Sequence, residues 1–135
     1  MTTASPYLFF DGNCREAMNF YKGCFGGSLE VMTYGDSDPS AMAAIKDKIM
    51  HSFLSKGAFG LMGSDSYESK PLLGENVQIG IGCDTVPEIE ALFKALSEKG
   101  KVDYPLADAP WGAKFGSLTD RYGVKWLLNC ETGKK

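Results

Sequence analysis

"FFDGNCREAMNFYKGCFGGSLEV" (residues 9–31) holds, in order, an apolar strand, a turn, a helix with its own start and stop signals, and the opening of another strand. Asn13 stands where an N-cap belongs, and Glu16, three residues on, occupies the capping-box position. Ala17, Met18, Phe20, Tyr21 and Phe25 recur at helical spacing, and Gly26 and Gly27 stop the helix. A second stretch, "GIGCDTVPEIEALFKALSEKGKVDY" (80–104), repeats the plan. Thr85 is its N-cap, Pro87 lies in the first turn, Glu88 takes the box position, and Gly100 ends the helix. Its apolar stripe is Ile89, Leu92, Phe93 and Leu96. A shift of 72 residues carries Asn13 onto Thr85, Glu16 onto Glu88, Phe20 onto Leu92 and Tyr21 onto Phe93. Four matches in register are the mark of an internal repeat.

Each helix follows a strand candidate, 6–12 or 77–84, and precedes three more. These are 28–34, 49–55 and 59–64 in the first half, and 101–106, 113–119 and 124–130 in the second. The expected fold is therefore α+β. It has two tandem βαβββ modules in a single domain, the first at about 6–65 and the second at about 77–130, with a linker over 66–76. The polar insertion "GDSDPSAMAAIKDK" (35–48) is expected to carry a short helix from Ala41 to Lys48. Alternation assigns the sheet faces. Val77, Ile79, Ile81 and Cys83 point one way, and Gln78, Gly80 and Gly82 the other. Val124, Trp126, Leu128 and Cys130 likewise oppose Lys125, Leu127 and Asn129. The bulkier sets are expected under the helices, on the outer face. The small and polar sets then line a curved mixed sheet around a cavity, a small-molecule site.

The composition bounds the function. An apolar fraction of 44% fits one globular domain, and a net charge of −3 gives no basic field for nucleic acid. Lys134 and Lys135 at the chain end form the one cationic cluster and read as solvating. The stretch "MTTASPYLFF" has neither a basic region nor a long apolar run, so the expected compartment is the cytoplasm, with no membrane partner. Cys14, Cys24, Cys83 and Cys130 lie far apart without a Cys-x-x-Cys and read as free thiols. Cys14 sits in a helical first turn, where the dipole favours thiolate, but no base or oxyanion site accompanies it. Met32, Met50 and Met62 read as core filler, and Asp11, Asp65 and Asp84 as turn residues.

The chain resembles the vicinal oxygen chelate superfamily, and within it the PhnB-like group. The residues that carry the likeness are "PYLFFDGNCREAMNFYKGCFGG" (6–27), "KDKIMHSFL" (46–54), "GLMGSD" (60–65) and "WGAKFGSLTDRYGVKWLLN" (111–129). "TDRYG" resembles the Asp-Pro-x-Gly turn before the last strand of such folds, with Arg121 in the place of Pro. The resemblance implies a divalent metal held by His, Glu or Gln from the first and last strand of each module, stabilising a substrate oxyanion. Here those positions fall on Pro6 or Tyr7, on Gln78, and, counting four from Gly57 and Gly123, on Leu61 and Leu127. Leucine has no lone pair to offer, and one neutral amide does not hold a divalent ion. No metal and no cofactor are expected.

His51, in "MHSFL", is the one side chain titrating near neutral pH and the candidate general base; an edge or dimer-contact histidine is the alternative. A 66-residue offset pairs it with Ser117. Gln78 on the open face is a candidate for a substrate oxygen. Trp111 and Phe115 flank Gly112 and Gly116 and are candidates to clamp a planar ligand, or else close a loop over the core. Leu61 and Leu127 are expected on the wall of the same site. Three functions compete: a module binding a small metabolite or antibiotic-like ligand, a glyoxalase- or dioxygenase-like lyase or isomerase, and a structural protein with a vestigial cavity. The resemblance implies a homodimer, and an open sheet edge supplies a motive. Members of the group often carry a demethylubiquinone methyltransferase label; the junctions "DGNCRE" and "DTVPEI" lack the Gly-rich loop a methyl donor usually uses.

Overall fold

The computed structural model describes residues 2–66 and 70–133. The chain divides into two compact units, Met1–Leu72 and Leu73–Lys135. The N-terminal module comprises β1 (Tyr7–Phe10), α1 (Cys14–Phe25), β2 (Ser28–Thr33), α2 (Tyr34–Ser37), β3 (Ile49–Lys56) and β4 (Phe59–Asp65). The C-terminal module comprises β5 (Ile79–Cys83), α3 (Val86–Ser97), β6 (Lys101–Ala109), β7 (Ala113–Thr119) and β8 (Lys125–Glu131). The sheet orders, β1-β4-β3-β2 and β5-β8-β7-β6, are the same order written twice. In each, the outer first strand runs parallel to the last and the other pairs are antiparallel. The expected βαβββ repeat is the architecture, and no helix among the described residues is long and apolar enough to cross a membrane.

Each helix covers one face of its own sheet. On α1, Cys14, Ala17, Met18 and Tyr21 are buried; on α3, Ile89, Leu92, Phe93 and Leu96 are. In the C-terminal sheet Cys83, Trp126, Leu128 and Cys130 are buried on the helix side, as alternation predicts, and so is Leu118 of β7, which pairs with Trp126. Each fully buried apolar chain of this size contributes about 2 kcal/mol. Gly27 and Gly100 follow their helices at equivalent places. A Cβ on either would strike a backbone oxygen of the neighbouring strand, Ser55 or Thr119. Only a bare backbone permits that approach, which is why a glycine stands at both turns.

The repeat is less regular than a single 72-residue shift. From Phe10 to Cys14 is one residue more than from Cys83 to Val86. The helices match at 72, but the strands before them match at 73, placing Phe10 on Cys83 and Tyr7 on Gly80. The hairpins differ too. Lys56 pairs with Phe59 across a two-residue turn, whereas Thr119 pairs with Lys125 across five residues, 120–124. Three local expectations fail. Residues 41–48 form turns held by bonds such as Lys46 N–H to Met42 O, and the short helix lies earlier, at Tyr34–Ser37, capped by Thr33 and Asp36. Val77, expected under α3, precedes β5 and is 74% exposed. Met32, expected as core filler, lies exposed on the edge strand β2.

Candidate functional site

The face of each sheet away from its helix holds His51, Phe115 and Leu127 of the candidate residues. In the N-terminal module the register sets Tyr7, Met62, Phe53 and Glu30 side by side across the sheet. The adjoining row on this face includes Phe9, Ser64, His51 and Met32. Tyr7 Oη and His51 Nδ1 are hydrogen-bonded at 3.1 Å, and the Tyr7 ring also lies 5.1 Å from that of Phe9. With Nδ1 engaged, the second ring nitrogen of His51, an exposed residue, has no hydrogen-bond partner among the described residues.

In the C-terminal module the corresponding rows are Gly80, Leu127, Ser117 and Tyr104, then Gly82, Asn129, Phe115 and Ala107. Trp111, on the turn between β6 and β7, donates its indole N–H to Asn129 Oδ1 at 3.2 Å. Its ring meets Phe115 edge-on at 5.5 Å. At the far end, Thr119 Oγ1 donates to Asp103 and accepts from Lys125 Nζ. Sequence reasoning placed Trp111 and Phe115 together, and the structure does so; it missed Asn129, the residue that fastens the indole. The sole signal for it was the alternation that sets Asn129 opposite Cys130.

Leu61 is a correction. It is fully buried, pairs with Leu54 and faces α1. Counting four residues from the turn glycine lands on the open face only in β8, because the hairpin before β4 is shorter. The open-face residue there is Met62, whose counterpart is Leu127. For the same reason Ser117 is the counterpart of Phe53, which pairs with Met62, and His51 is the counterpart of Phe115. Gln78 is exposed just ahead of β5, and its strand counterpart is Ser5. The first- and last-strand positions thus hold Tyr7 beside Met62 and Gly80 beside Leu127, a donor set that does not fit a hard divalent ion. Among the described residues no three His, Cys, Asp or Glu side chains are grouped to hold one.

Two buried carboxylates shape the scaffold. Asp65, expected as a turn residue, accepts the backbone N–H of Cys14 and of Ile49, both at 2.9 Å. It caps α1 from across the sheet, and Asn13 makes no side-chain cap bond. Asp120 accepts from the N–H groups of Tyr122 and Val124 and from Trp126 Nε1, closing the β7–β8 turn. Ser52 Oγ gives its proton to Gly63 O, so the thiol of Cys14, 3.7 Å away, is the donor to Ser52. Burial pushes that thiol up to about 12, so the dipole does not make it a thiolate. Burial, then Glu88, raises Cys83 to about 11. On the helix side of the N-terminal module, a groove of about 620 Å³ lies between the first turns of α1 and residues 43–48. Its lining mixes Arg15 and Lys48 with Glu16 and Asp47.

The fold is that of the vicinal oxygen chelate superfamily. A glyoxylase/bleomycin resistance protein/dioxygenase domain from Frankia sp. EAN1pec superposes with a TM-score of 0.71 at 8% identity, covering 100% of this chain and 96% of that one. The chain belongs to the PhnB-like family within it: the family model described as 3-demethylubiquinone-9 3-methyltransferase matches residues 2–129. The crystal structure of protein PA1353 from Pseudomonas aeruginosa is 44% identical, with a TM-score of 0.87 over 98% of this chain and 99% of that one. A PhnB protein from Bacillus cereus is 27% identical, with a TM-score of 0.73 over 96% and 99%.

Proposed function

We propose that this PhnB-like protein binds a small metabolite or antibiotic-like molecule on the open faces of its sheets, without a metal. The carrying observation is the Tyr7–His51 pair on one open face, with Trp111 tied to Asn129 on the other. Aromatic surface beside unspent polar atoms is what a small-molecule site needs. Tyr7, Met62, Gly80 and Leu127 at the first- and last-strand positions support the metal-free part. Methyl transfer is not carried over from the family description, since Asp11–Asn13 and Asp84–Thr85 offer no Gly-rich loop for a methyl donor.

A second reading, a lyase or isomerase with His51 as general base, draws on the geometry of that pair. Tyr7 fixes the ring through Nδ1 and leaves the other nitrogen for a substrate proton. A metabolite library screened by thermal shift, followed by product analysis of each hit, separates the two. A stabilising ligand recovered unchanged supports binding. Turnover that His51→Ala abolishes while the thermal shift remains supports catalysis. No stabilising ligand in the library counts against both. We further propose a homodimer, because β2 and β6 are edges of their own sheets that expose Val31, Met32, Val102 and Tyr104. Light scattering that returns the monomer mass of 14.6 kDa removes the dimer.

A further inference from the structure

Cys83 and Cys130 are register partners on the parallel strands β5 and β8. Both stand on the helix side of the sheet, 7% and 1% exposed. Burial, then the charges of Glu88, Cys130 and Asp84, raise the Cys83 thiol to about 11, so the two sulfurs sit in each other's field with two carboxylates nearby.

Spacing decides what can join them. Neighbouring strands lie about 4.8 Å apart, and the side chains of register partners stand side by side at that separation. A disulfide needs Cβ atoms about 3.8 Å apart, so forming one would draw the strands together by roughly 1 Å. A metal ion held in line between two sulfurs, at about 2.3 Å from each, spans about 4.6 Å, close to the separation the sheet already sets. Among the described residues no group of three or more His, Cys, Asp or Glu side chains could hold a metal. Zinc takes four ligands, whereas two thiolates alone suit a soft monovalent ion such as copper(I).

The repeat adds an independent observation. Cys130 stands at the place of Asp65, and Cys83 at that of Phe10. Asp65 is a buried carboxylate that accepts the N–H groups opening α1 and β3. Val86 and Ala113 open α3 and β7 at the matching places. The scaffold thus holds one buried negative charge at this position in its other half. Two thiolates on one monovalent cation carry the same net charge. We infer that Cys83 and Cys130 form a two-coordinate thiolate site for copper(I). Binding breaks two S–H bonds and makes two S–Cu bonds; both protons leave to solvent and no electron moves. The site lies on the helix side of its sheet and is independent of the open faces as a binding surface.

The test titrates the reduced full chain, under nitrogen, with the coloured copper(I)–bicinchoninate complex, whose fading reports the ion withdrawn. One ion per chain is expected, with X-ray absorption showing two sulfur neighbours and no nitrogen or oxygen. Cys83→Ala and Cys130→Ala should each bind at least a hundredfold more weakly, while Cys24→Ser should match the wild type. The 1H–15N correlation spectrum checks that each variant is folded, and Cys83→Ser replaces any that is not. Copper that stays on bicinchoninate, or that the folded Cys83 or Cys130 variants withdraw as well as the wild type, overturns the site. So does a coordination number other than two, or displacement of the ion by zinc(II). Loss of binding in Cys24→Ser assigns the copper to that half-buried thiol and overturns the site as well.

Discussion

The two modules share strand order, helix placement and the glycine after the helix, yet differ in every polar device that fastens them. In the N-terminal module the helix start is held by Asp65, a residue 51 positions away in the chain. Its strand counterpart is Cys130, and α3 is capped locally instead: Thr85 Oγ1 accepts from Glu88 N–H, and Glu88 accepts from Asp84 N–H. The C-terminal module spends its buried carboxylate at the other end, where Asp120 closes the β7–β8 turn. The open faces differ in the same way. Tyr7 and Phe9 of β1 become Gly80 and Gly82 of β5, so one face is furnished with rings and the other left bare beside Trp111. Apolar periodicity is needed twice to build two cores. Carboxylates, caps and open-face residues are needed once each, and they are where duplicated halves are free to diverge.

Breaking the fastenings one at a time measures that asymmetry. Asp120→Ala strands two backbone donors and the indole N–H of buried Trp126, and should cost about 3–5 kcal/mol in urea unfolding. Asp65→Ala strands two backbone donors and should cost about 2–4 kcal/mol. Thr85→Ala removes an exposed local cap and should cost about 1 kcal/mol. Asn13→Ala, at the matching place in α1, should fall within about 0.5 kcal/mol of wild type, as an exposed residue with no cap bond to lose. Equal costs for Thr85→Ala and Asn13→Ala would erase the distinction between a locally and a remotely capped helix.

The thiols sharpen the comparison further. Both buried groups have folded-state values above the ordinary 9.0, so the fold favours their protonated form. Their contribution is whole below pH 9 and is lost as pH rises, by about 11 for Cys83 and about 12 for Cys14. The urea midpoint should therefore fall above pH 9, and less steeply in Cys14→Ala. In the native protein at pH 8, iodoacetamide should label half-buried Cys24 well before Cys14, whose thiolate fraction is lower by roughly 1,000-fold than an ordinary thiol's at one decade per unit. Peptide mass spectrometry reads the order.

The sequence by itself determined the repeat, the element order and which residues of β5 and β8 pack under α3, because periods of 3.6 and 2 are local properties of a chain. It also pointed to His51, Trp111 and Phe115, since side-chain chemistry is visible without coordinates. Only the tertiary structure decided register. One extra residue before α1 and a shorter β3–β4 turn moved the open-face position from Leu61 to Met62, and in a strand a slip of one residue exchanges core for surface. Asp65 as the cap of α1 and Asn129 as the anchor of Trp111 were settled there too, because each depends on partners brought together only when the strands pair.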